Sequence, residues 1–101
     1  MEATIVARRE VANDPEGLCP VYEYVVEVHP ETGAAFRAEA HEPMIATDFQ
    51  HPREGDVVGV ELDPKTNKVR FDKSDPRLSR KVQEQAEKAA ELARFKDELA
   101  N

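Results

Sequence analysis

The stretch that most constrains the fold is VYEYVVEVHPETGAAFRAEA, Val21 to Ala40. Tyr22, Tyr24, Val26 and Val28 recur at every second position, with Val21, Glu23, Val25 and Glu27 on the opposite face. That period is the mark of a strand with one apolar side. A type I turn through Glu31 and Thr32, with Gly33 at positive φ, makes a three-residue hairpin loop with a bulge. If Pro30 opposes Ala34, then Val28 opposes Phe36, Val26 opposes Ala38 and Tyr24 opposes Ala40. Large residues then meet small ones on one apolar face, with Phe36 inward. A slip of one residue would carry Arg37 and Glu39 onto that face, so the register is fixed.

The remaining strands follow by the same logic. ATIVARREV, Ala3 to Val11, reads as an opening strand, and ANDPEGLCP, Ala12 to Pro20, as an exposed loop rich in turn signals. VVGVEL places Val58, Val60 and Leu62 on one face, and Gly59 is expected to mark a bend or bulge. DPKTN, Asp63 to Asn67, turns the chain into KVRFD, with Leu62 opposite Val69 and Val60 opposite Phe71. Five strands laid flat would leave edges and a second face exposed, and closure lessens both problems. The expected class is therefore mainly β: a small five-stranded antiparallel barrel, SH3-like or OB-like, over residues 1–73, followed by one C-terminal α-helix over residues 74–101.

The last segment changes character. From Ser74 onward it lacks glycine, and Val82 is its only β-branched residue. Asp75 is a natural N-cap and Pro76 a natural first helical residue, so a single helix from Pro76 to the chain end, about 37 Å long, is predicted. Arg77, Arg80, Glu84, Glu87, Glu91, Arg94 and Glu98 form its polar face. Leu78, Val82, Ala86, Ala89, Ala93 and Ala100 form a stripe, flanked by Leu92, Phe95 and Leu99. Gln85 and Lys96 interrupt the stripe and disfavour a strong coiled coil. Two fates are equally expected: docking on the open end of the barrel, or pairing with another helix. A frayed tail is the third.

With 101 residues the chain suits one small domain. The net charge of −7 is uneven. From Pro76 onward six Lys/Arg stand against five acids, a net of +1, so the first 75 residues carry −8. An acidic body attracts phosphate backbones and anionic lipid poorly. Cys19 is the only cysteine, which excludes an internal disulfide and a thiolate metal cluster within one chain and suits a reducing cytoplasm. MEATIVARREV lacks the apolar core of a signal peptide, and no apolar run reaches membrane-spanning length. A soluble cytoplasmic protein without membrane insertion is expected.

The opening strand ATIVARREV with the AND that follows it, the hairpin VYEYVVEVHPETGAAFRAEA and the closing segment REGDVVGVELDPKTNKVRFD together resemble a group of uncharacterised small β-barrel domains common in actinobacteria. The likeness covers the first seventy residues or so. It implies a fold and carries no reaction, cofactor or catalytic residue. The charged helix departs from those shorter barrels.

The richest chemical stretch is HEPMIATDFQHP, His41 to Pro52. A zinc site needs three or four converging ligands, and His-Glu here lacks the second histidine of a helical HExxH motif. The expected role is structural: Pro43 and Pro52 bracket a connector, Met44, Ile45 and Phe49 plug one barrel end, and the histidines line its rim. Ser74 and Ser79 lack a nucleophile elbow and read as helix caps, and the four glycines are isolated. The aromatics sit in the apolar phase of the strands, whereas a single-strand-binding barrel displays them beside a basic groove. The sequence thus predicts no catalytic, metal or cofactor site. The expected function is non-enzymatic binding or assembly, through a protein partner or self-association at Leu92, Phe95 and Leu99. The alternative is an OB-like nucleic-acid-binding domain.

Overall fold

A computed structural model describes residues 1–18, 20–43, 48–63, 65–66 and 68–100. Five strands are present: β1 (Glu2–Ala12), β2 (Val21–His29), β3 (Phe36–His41), β4 (Val57–Leu62) and β5 (Val69–Phe71). They are followed by a 3-10 turn, Pro76–Leu78, and a long helix, α1 (Arg80–Ala100). The antiparallel sheet runs β3-β2-β1-β4-β5. It curls until its two edge strands, β3 and β5, lie alongside each other, giving a nearly closed barrel.

The central hairpin has the register its alternation demands: Val28 opposite Phe36, Val26 opposite Ala38 and Tyr24 opposite Ala40. Gly33 has φ 101°, the positive value that the turn requires of it. The second hairpin likewise pairs Leu62 with Val69 and Val60 with Phe71. β1 bends at two register shifts, between Ile5 and Ala7 and between Glu10 and Ala12. Such bulges sharpen local twist and help a short sheet close.

The core gathers one side chain face from every strand: Ala3 and Ile5, Tyr24, Val26 and Val28, Ala40, Val58 and Val60, Val69 and Phe71. Phe49 from the connector and Leu78 from the 3-10 turn complete it. The expected plug is thus half described: Phe49 is buried as anticipated, while Met44 and Ile45 lie outside the described residues. Two inward assignments are corrected. Phe36 and Leu62 are exposed: each is the terminal residue of its strand, and although its cross-strand partner, Val28 or Val69, is buried, the core does not extend over it.

Gly59 is not a bulge. It sits in regular β4, buried, where a Cβ would come within 3.0 Å of Asp75 Oδ2 and 3.3 Å of Asp72 Cβ. The missing side chain lets a carboxylate approach the strand. Asp75 accepts the Gly59 N–H at 2.5 Å and the Arg77 N–H at 2.9 Å, capping the 3-10 turn and tying it to β4.

The predicted unbroken helix from Pro76 is also corrected. The chain interrupts at Ser79, which is extended at φ −97°, ψ 117°. The connector causes this. Phe49 bridges to Ser79, Leu78 C=O accepts from Gln50 N–H, and Asp48 C=O accepts from Arg80 N–H, both at 2.8 Å. Asp48 also accepts from the Ser79 hydroxyl at 2.6 Å and the Lys81 N–H at 2.8 Å, while Ser79 Oγ accepts from Val82 N–H. Ser79 and Asp48 together cap α1, which then leaves the barrel. No residue of α1 is buried. The radius of gyration is 16.6 Å against about 13 Å for a compact chain of this length. Docking of the helix on its own barrel is thereby ruled out as the arrangement in this structure. No helix among the described residues is long and apolar enough to cross a membrane.

Candidate functional site

Two features concentrate chemistry. The first is a polar cluster on the barrel rim. Glu42, just after β3, has only 4% of its side chain exposed, yet it is a carboxylate. Tyr24, on the inner face of β2, donates its hydroxyl to Glu42 Oε1 at 2.7 Å, and His51 Nδ1 meets the same oxygen at 2.6 Å. His51 lies edge-on to Tyr22 and Phe49, at 5.4 and 5.7 Å between ring centres. Arg8 caps the group, 4.4 Å from the Tyr22 ring centre, and donates to Pro52 C=O at 3.1 Å.

Burial pushes the Tyr24 phenol well above its ordinary range, and the Glu42 carboxylate that it donates to raises it further. Tyr24 is therefore a neutral donor at any physiological pH. The contact of Nδ1 with Glu42 and the two flanking rings fix the orientation of the His51 imidazole. This is the geometry of an oriented histidine. No serine or cysteine nucleophile joins it among the described residues, and Cys19 lies outside them. Its evident work is to satisfy a buried carboxylate while fastening the connector to β2.

The three histidines do not converge. His29 meets the Thr4 hydroxyl at 3.2 Å, His51 is held by Glu42, and His41 lies on the outer face of β3. The sheet nevertheless assembles a group that the spacing argument overlooked. His41 stands opposite Glu23 in the β2–β3 ladder, and Glu39 follows two residues away on the same face. One ligand atom from each lies within 4.8 Å of the others. Cross-strand register was the signal that could have found it. The Arg9 guanidinium already pairs with Glu23, so a cation entering here would have to displace it.

The second feature is α1. Leu92, Phe95 and Leu99 are 53%, 61% and 72% exposed. The structure brings the three together along one side of a helix that touches the barrel only near its start. They are the residues singled out from sequence, and their environment is solvent. Asp48, which fixes where that helix begins, was passed over in sequence because it lies in the connector, thirty-one residues from Ser79.

Compared with known proteins, the chain matches no family model, no curated protein and no solved structure.

Proposed function

We propose that this protein is a non-enzymatic assembly module, with the barrel as its body and α1 as its docking arm. One observation carries the reading: an amphipathic helix of 21 residues is capped, held clear of its own barrel and left with no buried residue. Most helical stability in proteins comes from packing one apolar face, and here that face has no covering from the chain itself. The likeness to small actinobacterial barrels supports a shared fold and adds no reaction. The tightly satisfied Tyr24–Glu42–His51 cluster supports a structural role for the rim.

The test is site-specific photo-crosslinking in cells. A photoreactive phenylalanine analogue at position 95 is expected to give a protein adduct, and the same analogue at Arg94, on the polar face away from Leu92, Phe95 and Leu99, little or none. Equal yields, or none from either position, would refute the docking arm.

A second reading has its own support. The order β3-β2-β1-β4-β5, with β3 and β5 alongside, supports an OB-like over an SH3-like reading of the barrel, and OB-like barrels bind single strands on the face of strands 2 and 3. Here that outer face presents Glu23, Glu27 and Glu39, which disfavours a phosphate backbone. Titration with a single-stranded oligonucleotide at low salt decides the matter, and salt-sensitive binding would favour the second reading.

A further inference from the structure

The apolar residues of α1 belong to a longer pattern. Lys81, Gln85, Lys88, Leu92, Phe95 and Leu99 follow one another at alternating spacings of four and three. At about 100° per residue they all fall within about 80° of arc, the seam positions of a heptad repeat. The two flanks of the seam differ. One carries Glu84, Glu91 and Glu98, and the other Val82, Ala89 and Lys96.

We infer that α1 pairs with α1 of a second copy of this chain, parallel and in register, with Glu91 of each copy reaching Lys96 of the other. The inference rests on the docking-arm reading and names its occupant. Three observations choose this arrangement. The seam grades from polar near the barrel to apolar toward the C-terminus, and only parallel register stacks Leu92, Phe95 and Leu99 each on its own counterpart. Parallel packing sets each glutamate flank against the other copy's Val/Ala/Lys flank, which makes the Glu91–Lys96 pair twice by symmetry. Antiparallel packing that keeps Leu92 against Phe95 instead sets Glu91 against Glu98, like charge on like. Lastly, parallel register sets Lys81 on Lys81 and Lys88 on Lys88 next to the two barrels, where their repulsion is relieved as the helices diverge to give the bodies room. The pairing is short, and self-association is correspondingly concentration-dependent.

Sedimentation equilibrium of the full chain from micromolar to millimolar should show the mass rising from 11.4 kDa toward twice that value. Leu92→Glu should return it to monomer. Lys96→Glu should weaken association at least about fivefold, and adding Glu91→Lys should restore it, since the swapped pair keeps its attraction. Direction is read by disulfide formation on a Cys19→Ser background. Leu99→Cys should cross-link with itself in the parallel arrangement. In the antiparallel one it would cross-link only when mixed with Lys88→Cys. A mass that stays monomeric throughout overturns the inference. If Phe95 still captures a different protein in cells, the docking-arm reading stands without it. A dimer unaffected by Leu92→Glu overturns both.

Discussion

Asp75 is the residue whose loss tests the reading of the fold most sharply. Its carboxylate is buried and holds three groups: the Gly59 N–H of β4, the Arg77 N–H of the 3-10 turn, and the Arg77 guanidinium at 3.0 Å. Arg77 continues to Glu2 on β1 at 3.1 Å. Asp75→Ala would leave the Gly59 N–H buried and unpaired, which costs about 1–3 kcal/mol. Loss of the cap adds about 1 kcal/mol. The half-exposed Arg77 pair adds about 0.5 kcal/mol at most. The expected loss is about 3 kcal/mol, against a total of about 5–15 kcal/mol for a domain of this kind. In urea unfolding followed by tyrosine fluorescence, the midpoint should fall by roughly 1–2 M. Gly59→Ala supplies the control. Its new Cβ would sit 3.0 Å from Asp75 Oδ2, so it should destabilise by about 1–3 kcal/mol alone. In the double variant that clash is gone, and the two losses should not add. There is a pH signature as well. Burial acts to raise the Asp75 carboxyl, but hydrogen bonds from Arg77 and the Gly59 N–H outweigh it and hold the group below its ordinary 3.8. A depressed carboxyl stabilises fully above that value and loses its contribution as pH falls below it. The gap between wild type and Asp75→Ala should therefore narrow in acid. An Asp75→Ala loss under about 1 kcal/mol, or strict additivity with Gly59→Ala, would refute the bridge.

Four further outcomes are expected. Tyr24→Phe removes one of the two partners of Glu42 and should cost about 2 kcal/mol in urea unfolding. In a Tyr22→Phe background, the raised Tyr24 phenol should stay protonated past pH 10 until the chain unfolds, because a raised group stabilises below its unfolded value and loses that contribution as pH rises; reversible ionisation of the folded protein near pH 10 would contradict this. Asp48→Ala should fray the start of α1, read as faster amide exchange at Lys81 and Val82 with the barrel strands unchanged. Leu99→Ser should leave the unfolding free energy of the barrel, from urea titration, within about 0.5 kcal/mol of wild type, since α1 packs nothing into the core; a larger loss would mean that the helix supports the barrel.

Local periodicity explains what could be read in advance. The Val28–Phe36 and Leu62–Val69 registers follow from turn chemistry and alternation, both contained within about twenty residues. What was missed depends on residues distant in sequence. Local sequence makes Gly59 look like a bend, because nothing nearby reveals that Asp75 approaches it. The helix reads as unbroken through Ser79 because Asp75-Pro76 is a good start signal and Asp48, thirty-one residues earlier, is invisible to any window. Phase alone points Phe36 and Leu62 inward, but phase does not say whether anything covers the terminal residue of a strand. The Glu23–Glu39–His41 group is the converse case: the hairpin register itself sets His41 opposite Glu23, while sequence spacing alone keeps the three apart.

The separation of α1 from the barrel has a physical cause in the same residues. Phe49 and Leu78 already fill the barrel end on which the helix might have settled. The stripe of Val82, Ala86, Ala89 and Ala93 offers little apolar area with which to displace them. The helix must then stand on propensity, and its alanine, glutamate, lysine and leucine content suits that. Its C-terminal charges do not. The last turn carries Asp97 and Glu98 and no base, so the C-terminal end opposes the helix dipole, while at the first turn the Asp48 carboxylate on the Lys81 N–H offsets Arg80 and Lys81. A helix built this way is well capped at Ser79 and weakest toward Leu99, where its exposed apolar side chains lie. Covering that end would gain both burial and helical order, so whatever pairs with α1 acts on the part of the chain with most to gain from it.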